Sequence, residues 1–277
     1  MDPELSASKL GPFKENIVNL KRRFSRVFPT LFALVLGMVL IGPGAQAGDE
    51  ADLARELLEG TDDMHRGESS HATMTMHVKT SRYERSMTME AWSQGEEKSL
   101  MIIRSPAKEA GTATLKVDNN IWNYLPKVDR TMKVPAGMMG GSWMGSHFTN
   151  DDLIKESRMA DDYTYSITER PKSDAEGDWV IQLTPKPDAP VVWGKVVVTI
   201  RAIDRLATSI TYWDEKNVLK RTMAFEDIKP MGGRTIASRM RLIPEDKPGE
   251  FTEIIYENLE FNVEIPASKF TIQGLKK

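Results

Sequence analysis

Apolar and polar residues alternate along most of the chain after residue 70, and this alternation is the main indication of its fold. Between residues 71 and 78, for example, Ala72, Met74, Met76 and Val78 are separated by single polar residues. Successive side chains of a β-strand point to opposite faces, so such a segment is typical of a strand with one buried face. We predict about twelve to fourteen strands, among them 71–78, 87–92, 100–103, 112–117, 121–125, 130–134, 163–168, 179–184, 195–200, 207–213, 219–225, 236–242 and 251–259.

Two stretches depart from the alternation. Residues 49–64 place Leu53, Leu57 and Leu58 at helical spacing, which predicts one amphipathic helix ahead of the strands. Residues 135–157 interrupt the strands with glycine, methionine and aromatic residues, and Asn150 begins a run that is typical of a helix N-cap. The chain therefore combines many strands with few helical segments.

The number of strands restricts the fold class. Strands this numerous, joined in sequence by short turns, must curl or close, because long open sheet edges promote aggregation. No repeat period and no linker divides them, which indicates one domain. We predict a mainly β fold of the α+β class, an open antiparallel β half-barrel with an N-terminal helix and a helical or loop lid in its concave face. A two-sheet sandwich is the alternative that this pattern allows.

Residues 1–47 have the three parts of a secretory signal peptide with a long n-region. A basic cluster at 21–26 precedes an apolar run at 31–41, and Ala45-Gln46-Ala47 follows as an A-x-A cleavage site. The apolar run is shorter than the roughly 20 residues of a membrane span. We therefore predict export to the periplasm, cleavage after Ala47 and a single domain over residues 48–277.

Composition removes several kinds of chemistry. The chain has no cysteine, which excludes a thiol nucleophile, a disulfide and a lipoprotein anchor, and a net charge of -3 gives no indication of nucleic-acid binding. His71 and His77 share one strand face but lie about 20 Å apart, too far to bind one metal. The proximity of Ser142, His147 and Asp151 is the sole basis for a hydrolase, and no nucleophile motif accompanies it. We predict a protein without metal or cofactor that is not an enzyme.

The residues between 122 and 153 resemble those of a known family. Similarity to the outer-membrane lipoprotein-sorting proteins of the LolA-like superfamily is carried by Trp122-Asn123-Tyr124-Leu125-Pro126-Lys127, Arg130, Val134-Pro135 and Met144-Gly145-Ser146-His147-Phe148-Thr149-Asn150-Asp151-Asp152-Leu153. The resemblance extends over about Ala51 to Ile272. It implies an unclosed β-barrel with helices in its mouth and a hydrophobic cavity for acyl chains. The chain after residue 47 is longer than the founding lipoprotein carrier, so lipoproteins, phospholipids and another amphiphile such as a hopanoid all remain possible cargoes.

The resemblance also implies site residues. The lipid-binding cavity would be lined by Trp92, Met101, Ile103, Leu115, Trp122 and Tyr124. The lid would consist of Met138, Met139, Trp143, Met144 and Phe148, because glycines and methionines provide a flexible apolar segment that can repack around chains of different shape. The same residues are equally consistent with an ordinary core, and segment 135–148 with a fixed core plug.

Two functions follow from these expectations. In the first, the protein is a carrier that shields acyl chains on their way toward the outer membrane, with an inner-membrane transporter complex as partner. Each methylene exposed to water costs roughly 0.8 kcal/mol, so an apolar container is the main requirement. In the second, the protein is a lipid-sensing adaptor that binds a membrane protein.

Overall fold

The computed structural model describes residues 43–155 and 159–276, and it places 13 strands in one antiparallel sheet. The strands are β1 Ser69–Lys79, β2 Glu84–Gln94, β3 Lys98–Ser105, β4 Ala113–Val117, β5 Asn120–Leu125, β6 Arg130–Lys133, β7 Tyr163–Glu169, β8 Asp178–Pro185, β9 Lys195–Arg201, β10 Ala207–Trp213, β11 Leu219–Met231, β12 Arg234–Pro244 and β13 Phe251–Phe261. The helices are α1 Pro43–Asp63, α2 Asp152–Lys155 and α3 Met159–Asp162. Short 3-10 turns occupy Pro126–Val128, Ala136–Met138, Trp143–Gly145, Ala267–Phe270 and Gly274–Lys276.

The order of the strands leaves the sheet unclosed. It runs β6-β5-β4-β3-β2-β1-β13-β12-β11-β10-β9-β8-β7. Each strand is therefore paired with the strands before and after it in the chain, with one exception: β6 and β7 are not paired. In addition, the first strand, β1, pairs with the last, β13. The two strands at the open edges, β6 and β7, are therefore consecutive in sequence. The chain between them, residues 134–162, has to pass from one edge of the sheet to the other.

The predicted alternation produces the observed core. Every second residue of β1, from Ser70 to Val78, is buried, and the buried set includes all four apolar positions singled out in the sequence. Each of the thirteen predicted segments forms one strand, which confirms the open antiparallel β half-barrel. Strand β11 continues to Met231 although its predicted apolar pattern ends at residue 225. None of residues 226–231 is buried, and they are held in the strand by pairing with β12.

Helix α1 packs its apolar side against the concave face of the sheet. Ala54, Leu57 and Leu58 are buried, and they belong to the same core as Met76 and Met89. The helix begins at Pro43, ahead of the predicted start at residue 49, and so includes the last residues of the predicted signal peptide. The rest of that peptide, residues 1–42, lies outside the described residues, and its cleavage stays a prediction.

A second apolar cluster covers the outer face of strands β3 to β5. Phe270 and Leu275, on the two C-terminal 3-10 turns, pack there against Leu100, Ile102 and Leu115. The half-sheet is therefore buried on both faces at this point. Alternation alone did not predict this cover, because a strand buried on both faces reads as a continuous apolar run, as residues 100–103 do.

We expect the outer cluster to contribute to stability and not to function. Phe270→Ala should lower the free energy of unfolding by about 3–5 kcal/mol, because it removes a buried ring and leaves a cavity. Ile272→Ala, at a neighbouring residue that is 41% exposed, should change it by less than about 0.5 kcal/mol. Urea unfolding measures both. Equal, small effects would mean that the C-terminal turns do not seal this face.

Candidate functional site

A cavity of about 200 Å³ lies on the concave side of the sheet, next to the segment that crosses it. Strands β1 to β3 and β10 to β13 provide most of its walls, together with the C-terminal end of α1 and residues of the crossing segment. Its apolar lining is rich in methionine and aromatic side chains, namely Met74, Met101, Met159, Met240, Phe225, Trp143, Phe148 and Tyr256.

The size of the side chains on β1, β2 and β3 explains why there is space. Directly paired residues form three rows across these strands, first Ser70, Ser93 and Ser99, then Ala72, Ala91 and Met101, then Met74, Met89 and Ile103. All three rows face the concave side, because they are separated by two residues along each strand. The serines and alanines are too short to fill the volume that methionines fill in the third row. The cavity therefore lies over the first two rows.

Two aromatic side chains from residues 142–149 form part of the cavity wall, and we call this segment the roof hairpin. Trp143 is 2% exposed and Phe148 is 4% exposed. The Trp143 backbone N–H donates to the Phe148 carbonyl at 2.8 Å, and an isolated bridge joins Ser142 to Thr149. The Trp143 indole N–H donates to the Thr114 hydroxyl of β4 at 3.1 Å. The hairpin thus presents both rings to the cavity from a closed turn.

The tip of the roof hairpin is bound to β2 and to the turn before it. Tyr83 donates its hydroxyl to the Gly145 carbonyl, and Arg85 donates to the Met144 carbonyl while pairing with Glu109 at 3.0 Å. Met144 and Gly145 both have positive φ, at 47° and 65°. A Cβ at Gly145 would lie 3.0 Å from the Tyr83 hydroxyl, so the tight approach of this turn requires glycine.

His147 binds the base of the roof hairpin to β13 and the turn before it. Its Nε2 lies 3.0 Å from a Glu250 carboxylate oxygen, and its Nδ1 lies 2.9 Å from the Thr252 hydroxyl, which also accepts the His147 backbone N–H at 3.0 Å. Hydrogen bonds from His147 and from Ser81 lower the pKa of Glu250 to about 2. Both ring nitrogens of His147 are therefore engaged in holding the hairpin.

Two of the three residues that suggested a hydrolase, Ser142 and His147, make their hydrogen bonds to other partners. Ser142 donates its hydroxyl to the Ser146 carbonyl, and the His147 ring is turned to Glu250 and Thr252. A nucleophile and its base have to share a hydrogen bond, and the Ser142 and His147 side chains are bonded elsewhere.

An ion pair anchors the chain just after the roof hairpin to β11. Arg221 donates to both Asp152 carboxylate oxygens, at 2.7 and 2.8 Å, and its guanidinium lies 4.6 Å from the Trp193 ring centroid and 4.3 Å from that of Tyr212. Burial favours the neutral acid, but the hydrogen bonds and charge of Arg221 outweigh it and hold the pKa of Asp152 below its usual value. The paired charges fix where helix α2 starts.

The end of the cavity nearest α1 is polar. His65 and Arg66 follow the helix and line the cavity there, and Gly67 after them approaches Phe261, which pairs with Ser70 of the serine row. The His65 ring lies 2.6 Å from the Ala237 carbonyl oxygen and stacks on Tyr256 with the centroids 4.6 Å apart. Burial lowers the pKa of His65 to about 4, so this side chain is neutral at pH 7.

The structure separates the predicted lining residues into two groups. Met101 lines the cavity, and Ile103 lies in the next row of the same concave face. Leu115, Trp122 and Tyr124 lie instead in the outer cluster with Phe270, because their positions in β4 and β5 have the opposite parity.

Trp92 borders the cavity, but its ring is on the outer face. The indole stacks on His71 with the centroids 5.1 Å apart, and the Lys269 ammonium lies 3.5 Å from its centroid. Residues 91 and 93 on either side of it point to the concave face. Trp92 therefore packs mainly with the outer-face residues.

The five predicted lid residues also differ in position. Trp143 and Phe148 line the cavity, and Met144 packs beside the core at the hairpin tip. Met138 is 63% exposed on its 3-10 turn, and Met139 is partly buried outside the cavity. The apolar wall that β10 to β13 provide was missed, because the β1–β13 pairing that brings those strands to the cavity leaves no local signal in the sequence.

Within residues 43–155 and 159–276, no three histidine, aspartate or glutamate side chains are grouped so that they could hold a metal ion. In that same part of the chain, no helix has the length and apolar character needed to cross a membrane.

Comparisons with known proteins agree with this architecture. A family model described as "Uncharacterized protein" matches residues 95–277. The fold is shared by a DUF1329 family protein from Desulfovibrio piger, with a TM-score of 0.72 at 20% identity, covering 82% of this chain and 99% of that one. A domain from Vibrio parahaemolyticus assigned as an outer membrane lipoprotein-sorting protein has a TM-score of 0.69 at 23% identity, covering 82% and 100%. A LolA superfamily protein from Nitrosomonas europaea has a TM-score of 0.65 at 20% identity, covering 80% and 98%. No curated protein matches the sequence.

Acidification should loosen the base of the roof hairpin. Because folding lowers the pKa of Glu250 from 4.5 to about 2, its ionised form stabilises the fold above pH 4.5, and this contribution is lost as the pH falls from 4.5 toward 2. Hydrogen exchange of backbone amides 146–149, corrected for intrinsic rates, should rise across that window. Glu250→Gln should flatten the profile, whereas Glu215→Gln in an exposed turn should not. A full pH response in Glu250→Gln would assign the effect to another group.

Proposed function

The chain belongs to the DUF1329 family and has the LolA-like fold, and from this premise we propose that it is a periplasmic carrier of acyl chains. It would bind the chains of lipoproteins or of another lipid in the cavity and move them toward the outer membrane. The observation that carries the proposal is the apolar cavity on the concave face, walled by methionine and aromatic side chains and by the roof hairpin. The relatives assigned to lipoprotein sorting support it as analogues of the same fold.

The cavity has the chemistry that acyl chains require. Burying one methylene is worth about 0.8 kcal/mol, so a chain of many methylenes is bound by contact with apolar walls alone. Methionine is unbranched and polarizable, which lets the walls adapt to chains of different shape. Several of the residues that line the cavity are methionines, including Met74, Met101 and Met240. A container of this kind needs no nucleophile or cofactor.

The size of the cavity indicates that the structure represents a closed form. Its volume of about 200 Å³ lies below the roughly 300–1,000 Å³ of typical small-molecule sites. Loading a long chain therefore requires Trp143 and Phe148 to withdraw. The exchange is energetically feasible, because apolar surface on the chain replaces the apolar surface of the two rings. On this view the roof hairpin is the lid, and its polar contacts to Tyr83 and Arg85 are what must open.

The location and partners belong to the same proposal. The predicted signal peptide would deliver the chain to the periplasm, where an inner-membrane transporter complex would supply the cargo. The class of cargo remains lipoprotein, phospholipid or another amphiphile.

Native mass spectrometry with lipid extraction, on protein purified from the periplasm, tests the proposal directly. We expect close to one bound lipid or acylated protein per chain, whose mass identifies the cargo. Protein that is free of lipid, and stays so after incubation with lipid vesicles and lipoprotein, would refute the carrier. A stable complex of that lipid-free protein with a membrane protein's periplasmic segment would then support the adaptor.

Filling the cavity from its floor should abolish binding without unfolding the protein. In Ala91→Leu a larger side chain enters the space over the alanine row and competes with the ligand, so the lipid affinity should fall at least about tenfold. Thr88→Leu adds similar bulk on the outer face of the same strand and is the matched control. Bound lipid per chain and thermal unfolding are measured for both. Undiminished lipid in Ala91→Leu would show that the chains bind elsewhere.

A further inference from the structure

The polar end of the cavity carries a charged group that the acyl-chain proposal does not use. Arg66 is the single lysine or arginine among the described residues that line the cavity. Its Nη1 is buried and has no hydrogen-bond partner in the described part of the chain. The serine row of Ser70, Ser93 and Ser99 lines the same cavity, and the chain directly after Arg66 reaches this row where Gly67 approaches Phe261, the partner of Ser70. Polar donors therefore gather at one end of an otherwise apolar chamber.

The neighbouring titratable groups do not neutralise Arg66. His65 lies 2.6 Å from a backbone carbonyl and, with a pKa of about 4, is neutral at pH 7. Asp62 also lines this end, and it has an interaction of its own. Asp63 is exposed. Within residues 43–155 and 159–276, no carboxylate forms an ion pair with the Arg66 guanidinium.

A buried donor without a partner is unfavourable, and a charged one more so. A ligand that supplies an acceptor would satisfy such a group. We propose that Arg66 binds the anionic headgroup, a carboxylate or a phosphate, of the amphiphile whose chain lies in the cavity. This inference rests on the proposed carrier function and adds to it the chemical class of the cargo.

The rows of the sheet give the ligand a direction. The Ser70 and Ser93 hydroxyls are 2.7 Å apart and offer further hydrogen bonds to a headgroup at Arg66. From there the chain would run over Ala72 and Ala91, the next row, about 7 Å further along the strands. The headgroup would remain at the polar end and the methyl end would point to the methionines.

Three probes that share the same acyl chain distinguish binding of the headgroup from binding of the chain. Oleate carries a carboxylate, oleoyl lysophosphatidic acid carries a phosphate, and methyl oleate carries no charge. Binding of each is measured by calorimetry to delipidated wild type, Arg66→Met, Arg66→Lys and the control Arg82→Met, which changes an exposed arginine. Charge-assisted hydrogen bonds predict that Arg66→Met lowers affinity for the anionic probes about tenfold or more. Methyl oleate should bind all four proteins alike, and Arg66→Lys should retain part of the anionic preference.

The thermal stability of the ligand-free variant distinguishes a ligand-binding role of Arg66 from a structural one. Because Nη1 has no partner, the unfolding temperature of ligand-free Arg66→Met should equal or exceed that of wild type. A clear fall would show that Arg66 holds the fold together and would overturn the inference.

The outcomes distinguish this inference from the carrier proposal. If Arg66→Met binds both anionic probes more weakly than wild type, the result supports a general anion site. If its affinity falls for one of them alone, the result supports the site and identifies its headgroup as carboxylate or phosphate. Equal binding of all three probes to wild type and Arg66→Met would overturn the headgroup site and leave the carrier standing. Failure of every probe to bind wild type would overturn the headgroup site, and the mass-spectrometric test with vesicles and lipoprotein would then decide separately on the carrier.

Discussion

The pairing of β1 with β13 is the constraint on which the rest of the structure depends. The first and last strands meet in the middle of the sheet, over Ser70–Lys79 and Phe251–Phe261, so the two halves of the chain extend from there to opposite edges. Strands β6 and β7 therefore lie at opposite edges of the sheet although they are consecutive in sequence. Whatever connects them has to cross the open sheet. Topology thus requires a segment that passes from one edge to the other, and the apolar Trp143 and Phe148 of this segment lie over the concave face, where they line the cavity.

Once the roof is in place, the cavity depends on the parity and size of a few side chains. Along β2, Met87 and Met89 fill the concave face, whereas Ala91 and Ser93 leave it open. A shift of one residue in register would bring Trp92 to the same place and close the space, because adjacent side chains of a strand point to opposite faces. The cavity is therefore not a packing defect but follows from the order serine, alanine, methionine in paired strands. The same order makes one end of it polar and the other apolar.

The fold was more predictable from the sequence than the site was. Alternation is a local property, so all thirteen strand segments could be read from it, and the helix from the spacing of Leu53, Leu57 and Leu58. Which face of a strand is concave is not local. Leu115 was assigned to the cavity from the family resemblance, yet it packs outside under Phe270, more than a hundred residues later in the chain. Where both faces are buried, apolarity no longer distinguishes them, and only the pairing across strands does.

Three arginines show how differently the same side chain is used around the cavity. Arg85 pairs with Glu109 and Arg221 with Asp152, and through these pairs both hold the chain that crosses the sheet. Each of these guanidinium groups keeps a carboxylate close by, as partial burial of a charge demands. Arg66 has no such carboxylate among the described residues, although it lines a chamber that is otherwise largely apolar. Among the described residues the fold thus pairs the charges that fix the roof hairpin and leaves unpaired the one that faces the cavity, which is the arrangement expected if the proposed ligand brings the missing charge.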